Sequence, residues 1–310
     1  MDKVHAFYWT DSPRFRNHPI FAYEKDGKIY IWRYDTELKS MLNQRAGTPS
    51  DGRAIEEHAD DYIGRIRPLP SQLHREEINS VPGTYHPRIY RPGAVEDNFR
   101  DQCCPISNPR AIGQCLSATK LLLSNFSEIL ETVDLNNENL SAYGHKIRNL
   151  LLLSCMEVES IFSAMLRENS YPDRRWNTND YVKLLDPLYL NKYKVHFKLY
   201  PDFEGVAPFE GWDEERPTQS LPWYDAYNST KHDREVNLDK ATLEHAVSSV
   251  SAVIALLYAQ FGPSHEFWNQ GEMSNISIEL CHEYQVNDFY IPYSEDKEVK
   301  CNWAKHDLEI

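Results

Sequence analysis

The sequence predicts a mainly α protein, a C-terminal antiparallel helical bundle over about residues 111 to 262 preceded by a smaller N-terminal α+β domain. Three observations predict it. Apolar residues recur at three- and four-residue spacing through much of the second half, the period of an amphipathic helix. Near the N-terminus "FAYEKDGKIYIWRY" alternates around Asp26-Gly27, the pattern of a β-hairpin. A proline-rich stretch lies between the two halves.

In the hairpin, both central turn residues must adopt positive φ, which Asp-Gly does readily. The resulting register sets Tyr23 opposite Tyr30 and Phe21 opposite Trp32 on one face. Such an aromatic face serves either as a core or as a base-stacking platform, and the core is the expectation for a small α+β domain. Residues 36 to 44 and 53 to 64 read as short helices packed against it, closing an N-terminal domain at residue 67. From Pro68 to Pro109 there are seven prolines, many arginines and few periodic apolar positions, so residues 68 to 110 are expected to form a linker or wrapped arm.

The first helical stripe runs through Ile112, Cys115, Leu116, Leu122, Leu123, Phe126, Ile129, Leu130 and Val133. After Asn136 and Asn137 as candidate caps, a longer stripe follows Ile147, Leu150, Leu151, Val158, Ile161, Phe162 and Met165. A short turn between them implies antiparallel packing. Asn237 or Asp239 is expected to open a third long helix, with Leu243, Val247, Val250, Ile254, Leu257 and Phe261 inward and Gly262-Pro263 as its stop. "TNDYVKLL" reads as a short helix capped by Thr178 or Asn179. In the tail, residues 263 to 310, "NISIEL" and "DFYIPY" read as short strands or a strap over the bundle.

Composition bounds the function. A formal charge of -14 argues against a nonspecific nucleic-acid coat, while leaving room for a local basic pocket. The start "MDKVHAFYWTDSPRF" lacks the basic and apolar regions of a secretory signal, and no membrane segment is expected. Cys103, Cys104, Cys115, Cys155, Cys281 and Cys301 show no paired CxxC spacing and read as reduced thiols of a cytoplasmic protein. Cys281, His282 and Glu283 are adjacent and so point apart, without a second ligand pair at metal spacing. No metal and no cofactor is expected. Phosphate-binding glycine loops, H-E-x-x-H and G-x-S-x-G do not occur in the sequence.

The most chemically loaded stretch is "WYDAYNSTKHDRE", residues 223 to 235. Asn228 and His232 are four apart and share one helical face, with Lys231 and Arg234 beside it. A neutral base or acid between cations suits one phosphate, and so suits metal-independent RNA cleavage in which the ribose 2′-OH attacks the adjacent phosphorus. The alternative is a solvated helix start, its lysine and arginine paired with Asp233 and Glu235 and its Trp223 and Tyr227 packed inward. His145 and Arg148 on the preceding long helix are candidates to reach the phosphate from across the bundle or from a second subunit, or else an exposed turn. Glu157 and Glu159 are two apart, so at most one faces the core; a buried carboxylate there needs a partner, and His232 or Arg148 is the expected one.

"YGHKIRNLLLLSCMEVESIF" and "WYDAYNSTKHDREVNLDKATL" resemble a group of bacterial proteins of the HEPN superfamily, over about residues 111 to 262. Active members of that superfamily are metal-independent ribonucleases of toxin and antiviral-defence systems. Their signature is an arginine, four to six residues, then a histidine, often with a polar residue directly after the arginine. His232 matches the histidine and Asn228 the polar residue, whereas Tyr227 stands where the arginine belongs. The resemblance implies a dimeric endoribonuclease with His232 as proton-transfer residue and Asn228, Lys231 and Arg234 around the phosphate, Arg148, His145 and Glu157 in support. The missing arginine motivates an alternative, an inactive dimerisation or sensing module that binds a partner protein or a nucleotide ligand. Spacing alone is not decisive: Arg53 to His58 and Arg67 to His74 fit the arginine-histidine spacing as well, outside the helical half.

Overall fold

A computed structural model describes residues 3–9, 18–35, 40–66, 73–93, 109–263, 266–293 and 301–310. They form two compact units, the first within Met1–His86, Arg91–Ile106 and Tyr284–His306, the second within Pro87–Tyr90, Ser107–Glu283 and Asp307–Ile310.

The first unit is built on a five-stranded antiparallel sheet of order β4-β3-β2-β1-β5, with β1 Val4–Trp9, β2 Ile20–Lys25, β3 Lys28–Asp35, β4 Ser40–Pro49 and β5 Leu73–Ile78. The β2–β3 hairpin turns on Asp26 (φ 51°) and Gly27 (φ 68°), and Tyr23 pairs with Tyr30 and Phe21 with Trp32, the register the alternation predicts. Because side chains alternate across a strand, the sheet has two apolar faces. One buries Phe7, Ile20, Ala22, Ile29 and Ile31 against Ala59 and Ile63 of helix α1 (Ile55–Ile66). The other buries Phe21, Tyr23, Tyr30, Trp32 and Tyr34 against Phe289, Ile291 and Tyr293.

"DFYIPY" is therefore neither a strand nor a strap over the helices; it lies on the aromatic face of the sheet. The Tyr23 and Tyr30 rings stack with centroids 5.0 Å apart, and the Tyr23 hydroxyl donates to the Pro292 carbonyl at 2.5 Å. This face is a core. Residues 40 to 49, inside and just beyond a stretch expected as helix, instead form β4 along the β3 edge; the edge strand supplies ladder hydrogen bonds that outweigh the local helical pattern. Residues 68 to 110, expected as a linker, carry β5 and β6 (Thr84–Tyr85), and β6 pairs in parallel with β9 (Ala304–Lys305).

In the second unit α2 (Pro109–Leu130) and α3 (His145–Glu168) run back along each other, with Lys146 paired to Glu128 at 3.4 Å. Helix α7 (Leu243–Phe261) lies among α2, α3 and α5 (Pro222–His232) and is buried on nearly every side. Its cap is Thr242, whose hydroxyl accepts from the His245 amide at 3.3 Å, rather than Asn237 or Asp239. Gly262 stops it at φ 73°, and a Cβ there would sit 2.4 Å from the Tyr90 ring. The segment Pro87–Tyr90 is clipped to the same end: Arg88 donates to Glu168 at 2.6 Å and to Gln260 at 3.0 Å, and the Tyr90 amide to the Ala259 carbonyl at 2.8 Å. Asn136 caps a single 3-10 turn, and α3 begins only after Gly144. Helix α4 (Thr178–Tyr181) is capped by Asn177, reciprocally with Asp180.

The helices are not alone in this unit. Strand β7 (Tyr193–Phe197) pairs antiparallel with β8 (Ile276–Leu280), and 3-10 turns fill the long connections. Among the described residues about 45% are helical and 19% in strands, with a sizeable antiparallel sheet in the N-terminal region, an α+β composition. The mainly α expectation with a helical bundle is overturned: the second half is not clearly a bundle. Helical periodicity is conspicuous in a sequence, whereas short strands that alternate weakly become visible only through their neighbours. Helices α3 and α7 are long and apolar enough to cross a membrane by length and composition, and most of α7 is buried within the protein.

Candidate functional site

Helix α5 starts at Pro222, whose missing amide hydrogen costs nothing in a first turn, and ends at His232, where Asp233 (φ -142°, ψ 89°) breaks the helical path. A second short helix, α6 (Arg234–Asn237), begins at once, capped by the Asp233 carboxylate on the Val236 amide at 3.3 Å. His232 and Arg234 thus sit on different helices.

The inner face of α5 is Trp223, Tyr224, Ala226, Tyr227 and Thr230, all buried. Trp223 donates from its indole nitrogen to the Pro208 carbonyl at 2.7 Å. The Tyr224 hydroxyl donates to Glu159 Oε1 at 2.6 Å, so Glu159 is the member of the Glu157/Glu159 pair that meets α5, and its partner is a tyrosine rather than His232 or Arg148. Lys231 reaches back one turn: its ammonium donates to the Tyr227 hydroxyl at 2.8 Å and lies 4.8 Å from the centre of that ring. Burial, then the Glu159 carboxylate, holds both tyrosines far above the ordinary phenol value, so they stay protonated donors. Cys155 lies fully buried in the same cluster; burial pushes its thiol well up, and it is no nucleophile at neutral pH.

Arg148 crosses from α3 and donates from Nη2 at 2.8 Å and Nε at 3.3 Å to the Thr230 carbonyl. That carbonyl is among the last four of α5, which lack partners within their own helix, and a guanidinium there also meets the negative end of the helix dipole. Arg148 is a helix-end clamp in this chain. His145, the first residue of α3, is exposed. Glu157 is half-buried, with its carboxyl raised by burial, and makes no hydrogen bond or ion pair among the described residues.

The outer side of α5 carries Asn228, half-buried, and His232, exposed. Neither side chain makes a hydrogen bond among the described residues, and the expected pairing of Lys231 and Arg234 with Asp233 and Glu235 is not formed there. The structure therefore brings Asn228, Lys231 and His232 together at the end of one helix, displaces Arg234 onto the next, and spends Arg148 on the backbone.

Tyr224, Tyr227, Glu159 and Cys155 form a polar cluster of which sequence reasoning singled out Glu159 as a carboxylate in need of a partner but missed Tyr224 as that partner. A tyrosine three residues before Tyr227 is inseparable in the sequence from ordinary core packing. In the first unit Arg53 and His58 do meet: His58 is buried, its Nε2 2.9 Å from Asp51 and its Nδ1 3.2 Å from the Arg53 guanidinium, so the pair secures the loop before α1. Arg67 lies outside the described residues, and His74 stacks on Tyr8 with centroids 5.5 Å apart. His282 stacks on Tyr189 at 3.9 Å, and among the described residues no three His, Cys, Asp or Glu side chains gather as metal ligands. Comparison with protein families, with curated proteins and with solved structures returned no match to this chain.

Proposed function

We propose that the end of α5 is a metal-independent RNA-cleaving site completed between two copies of the chain, as the resemblance of residues 223 to 235 to the HEPN signature implies. The observation that carries this reading is the unengaged Asn228 and His232 pair at the exposed end of α5, on the same helix as Lys231. In the reaction the ribose 2′-oxygen attacks phosphorus while the bond to the 5′-oxygen breaks. His232 moves the proton from the 2′-OH or to the departing 5′-oxygen, leaving a 2′,3′-cyclic phosphate and a 5′-OH. Lys231 and Arg234 stabilise charge on the phosphoryl oxygens. Asn228 orients them.

Incubation of the purified chain with total RNA in excess EDTA tests the proposal. Cyclic-phosphate ends are expected, with at least about a hundredfold loss in His232→Ala at an unchanged thermal midpoint. Full activity in that variant, or intact RNA with the wild-type chain, overturns it.

A second reading, a non-catalytic dimerisation or sensing module, is favoured by the two cations that serve structure, Arg148 on Thr230 and Lys231 on Tyr227. It predicts inert RNA together with concentration-dependent self-association.

A further inference from the structure

The second unit has an open cavity of about 260 Å³ that no residue of the proposed RNA site lines. One wall is the C-terminal half of α2, through Leu123, Phe126 and Leu130; the other is the end of β7 and the chain beyond it, through Phe197, Leu199 and Tyr200. Phe126 and Phe197 meet edge to face with centroids 5.4 Å apart, which fixes the floor. Leu199 is 66% exposed and adds apolar surface at the mouth of the groove.

The rim has one sign of charge. Glu131 lines one side and Glu272 the other. Neither carboxylate has an ion-pair partner among the described residues. Asp134 adds a third negative charge close to Tyr200, whose phenol is raised by burial and by that carboxylate. The neighbouring cation, Lys198, is turned to the Ser274 carbonyl at 2.9 Å. Asn275 supplies the one side-chain amide of the lining.

An apolar, aromatic floor under unpaired carboxylates is complementary to a ligand that is apolar at one end and positive at the other. The rings contribute their negative faces to a cation and the carboxylates a direct charge. We propose that this groove binds an organic cation with an aromatic or aliphatic body, the chemistry of an arylalkyl amine. The inference is independent of the nuclease reading, since acidic walls repel an RNA backbone.

The probes are 2-phenylethylamine, its N,N,N-trimethyl analogue and the neutral 2-phenylethanol, titrated into the full-length chain by calorimetry with ligand-observed NMR. Both cations are expected to bind, about tenfold more tightly than the alcohol. Glu131→Gln and Glu272→Gln should each weaken the cations several-fold and leave the alcohol unchanged. Ser127→Trp, an exposed lining position at the mouth, should abolish all three, while Glu214→Gln, outside the groove, controls for attraction to a chain of net charge -14. Equal binding of amine and alcohol, equal weakening by Glu214→Gln, unaltered binding in Ser127→Trp, or no binding at millimolar concentration each overturns the proposal.

Discussion

The two faces of α5 are eleven residues treated in opposite ways. Inward, every polar atom with a role is engaged: Trp223 on Pro208, Tyr224 on Glu159, Tyr227 under Lys231, and the Thr230 carbonyl in the grip of Arg148. Outward, Asn228 and His232 make no hydrogen bond among the described residues. Buried polar groups must be satisfied because unmade bonds are costly away from water; exposed groups are released from that demand and become available for ligands. The contrast separates what holds the helix from what it offers.

The largest effect is expected at the Tyr224–Glu159 contact. Tyr224→Phe keeps the ring and removes the donor, leaving a carboxylate with less compensation in a partly apolar setting, at about 1–3 kcal/mol of stability by denaturant unfolding. Glu159→Gln in the same background should cost much less than in the wild type, because the two groups are coupled. Additive costs would break the inner face as a single unit. Next is Arg148→Ala, which strips both donors from the Thr230 carbonyl and should cost about 1–2 kcal/mol. Arg148→Lys should recover only part, since an ammonium lacks the paired geometry of the guanidinium.

A smaller effect with a defined sign is expected at Glu157. Burial raises its carboxyl in the folded state, so it favours folding only while protonated and the benefit is lost as pH rises through the raised value. Glu157→Gln should therefore raise the thermal midpoint at pH 7, with the gain vanishing below the ordinary glutamate value of about 4.3. A gain that persists at pH 3 would point to packing rather than ionisation. The two raised tyrosines follow the same sign: their contribution holds below the ordinary phenol value of about 10 and fades above it. Smallest of all, Asn228→Ala and His232→Ala should change stability by less than about 0.5 kcal/mol in thermal unfolding. A larger loss from His232→Ala would mean that the outer face is structural too.

Much of the local architecture was legible. The apolar periodicity marks α2, α3 and α7, Gly262 marks the end of α7, and Asp26-Gly27 marks the hairpin with its pairing register. Helix starts were less legible, since asparagines at 136 and 237 and threonine at 242 all satisfy a cap, and the choice falls to whichever side chain meets free amides once the segment packs. The α+β character was underestimated because β4 and β5 carry little alternation of their own, and β7, which does alternate, is only five residues long and lies in a proline- and aromatic-rich stretch.

By itself the sequence determined the periods: where a helix buries one stripe, where a strand alternates, and where glycine or proline forbids continuation. Those are properties of neighbours within a few residues along the chain. Only the tertiary structure decided that residues 289 to 293 cover the aromatic sheet face, that Glu159 answers to Tyr224, and that Arg148 closes the end of α5. Each joins residues scores of positions apart, where the identity of a partner follows from which groups lose water together, a condition no local pattern encodes.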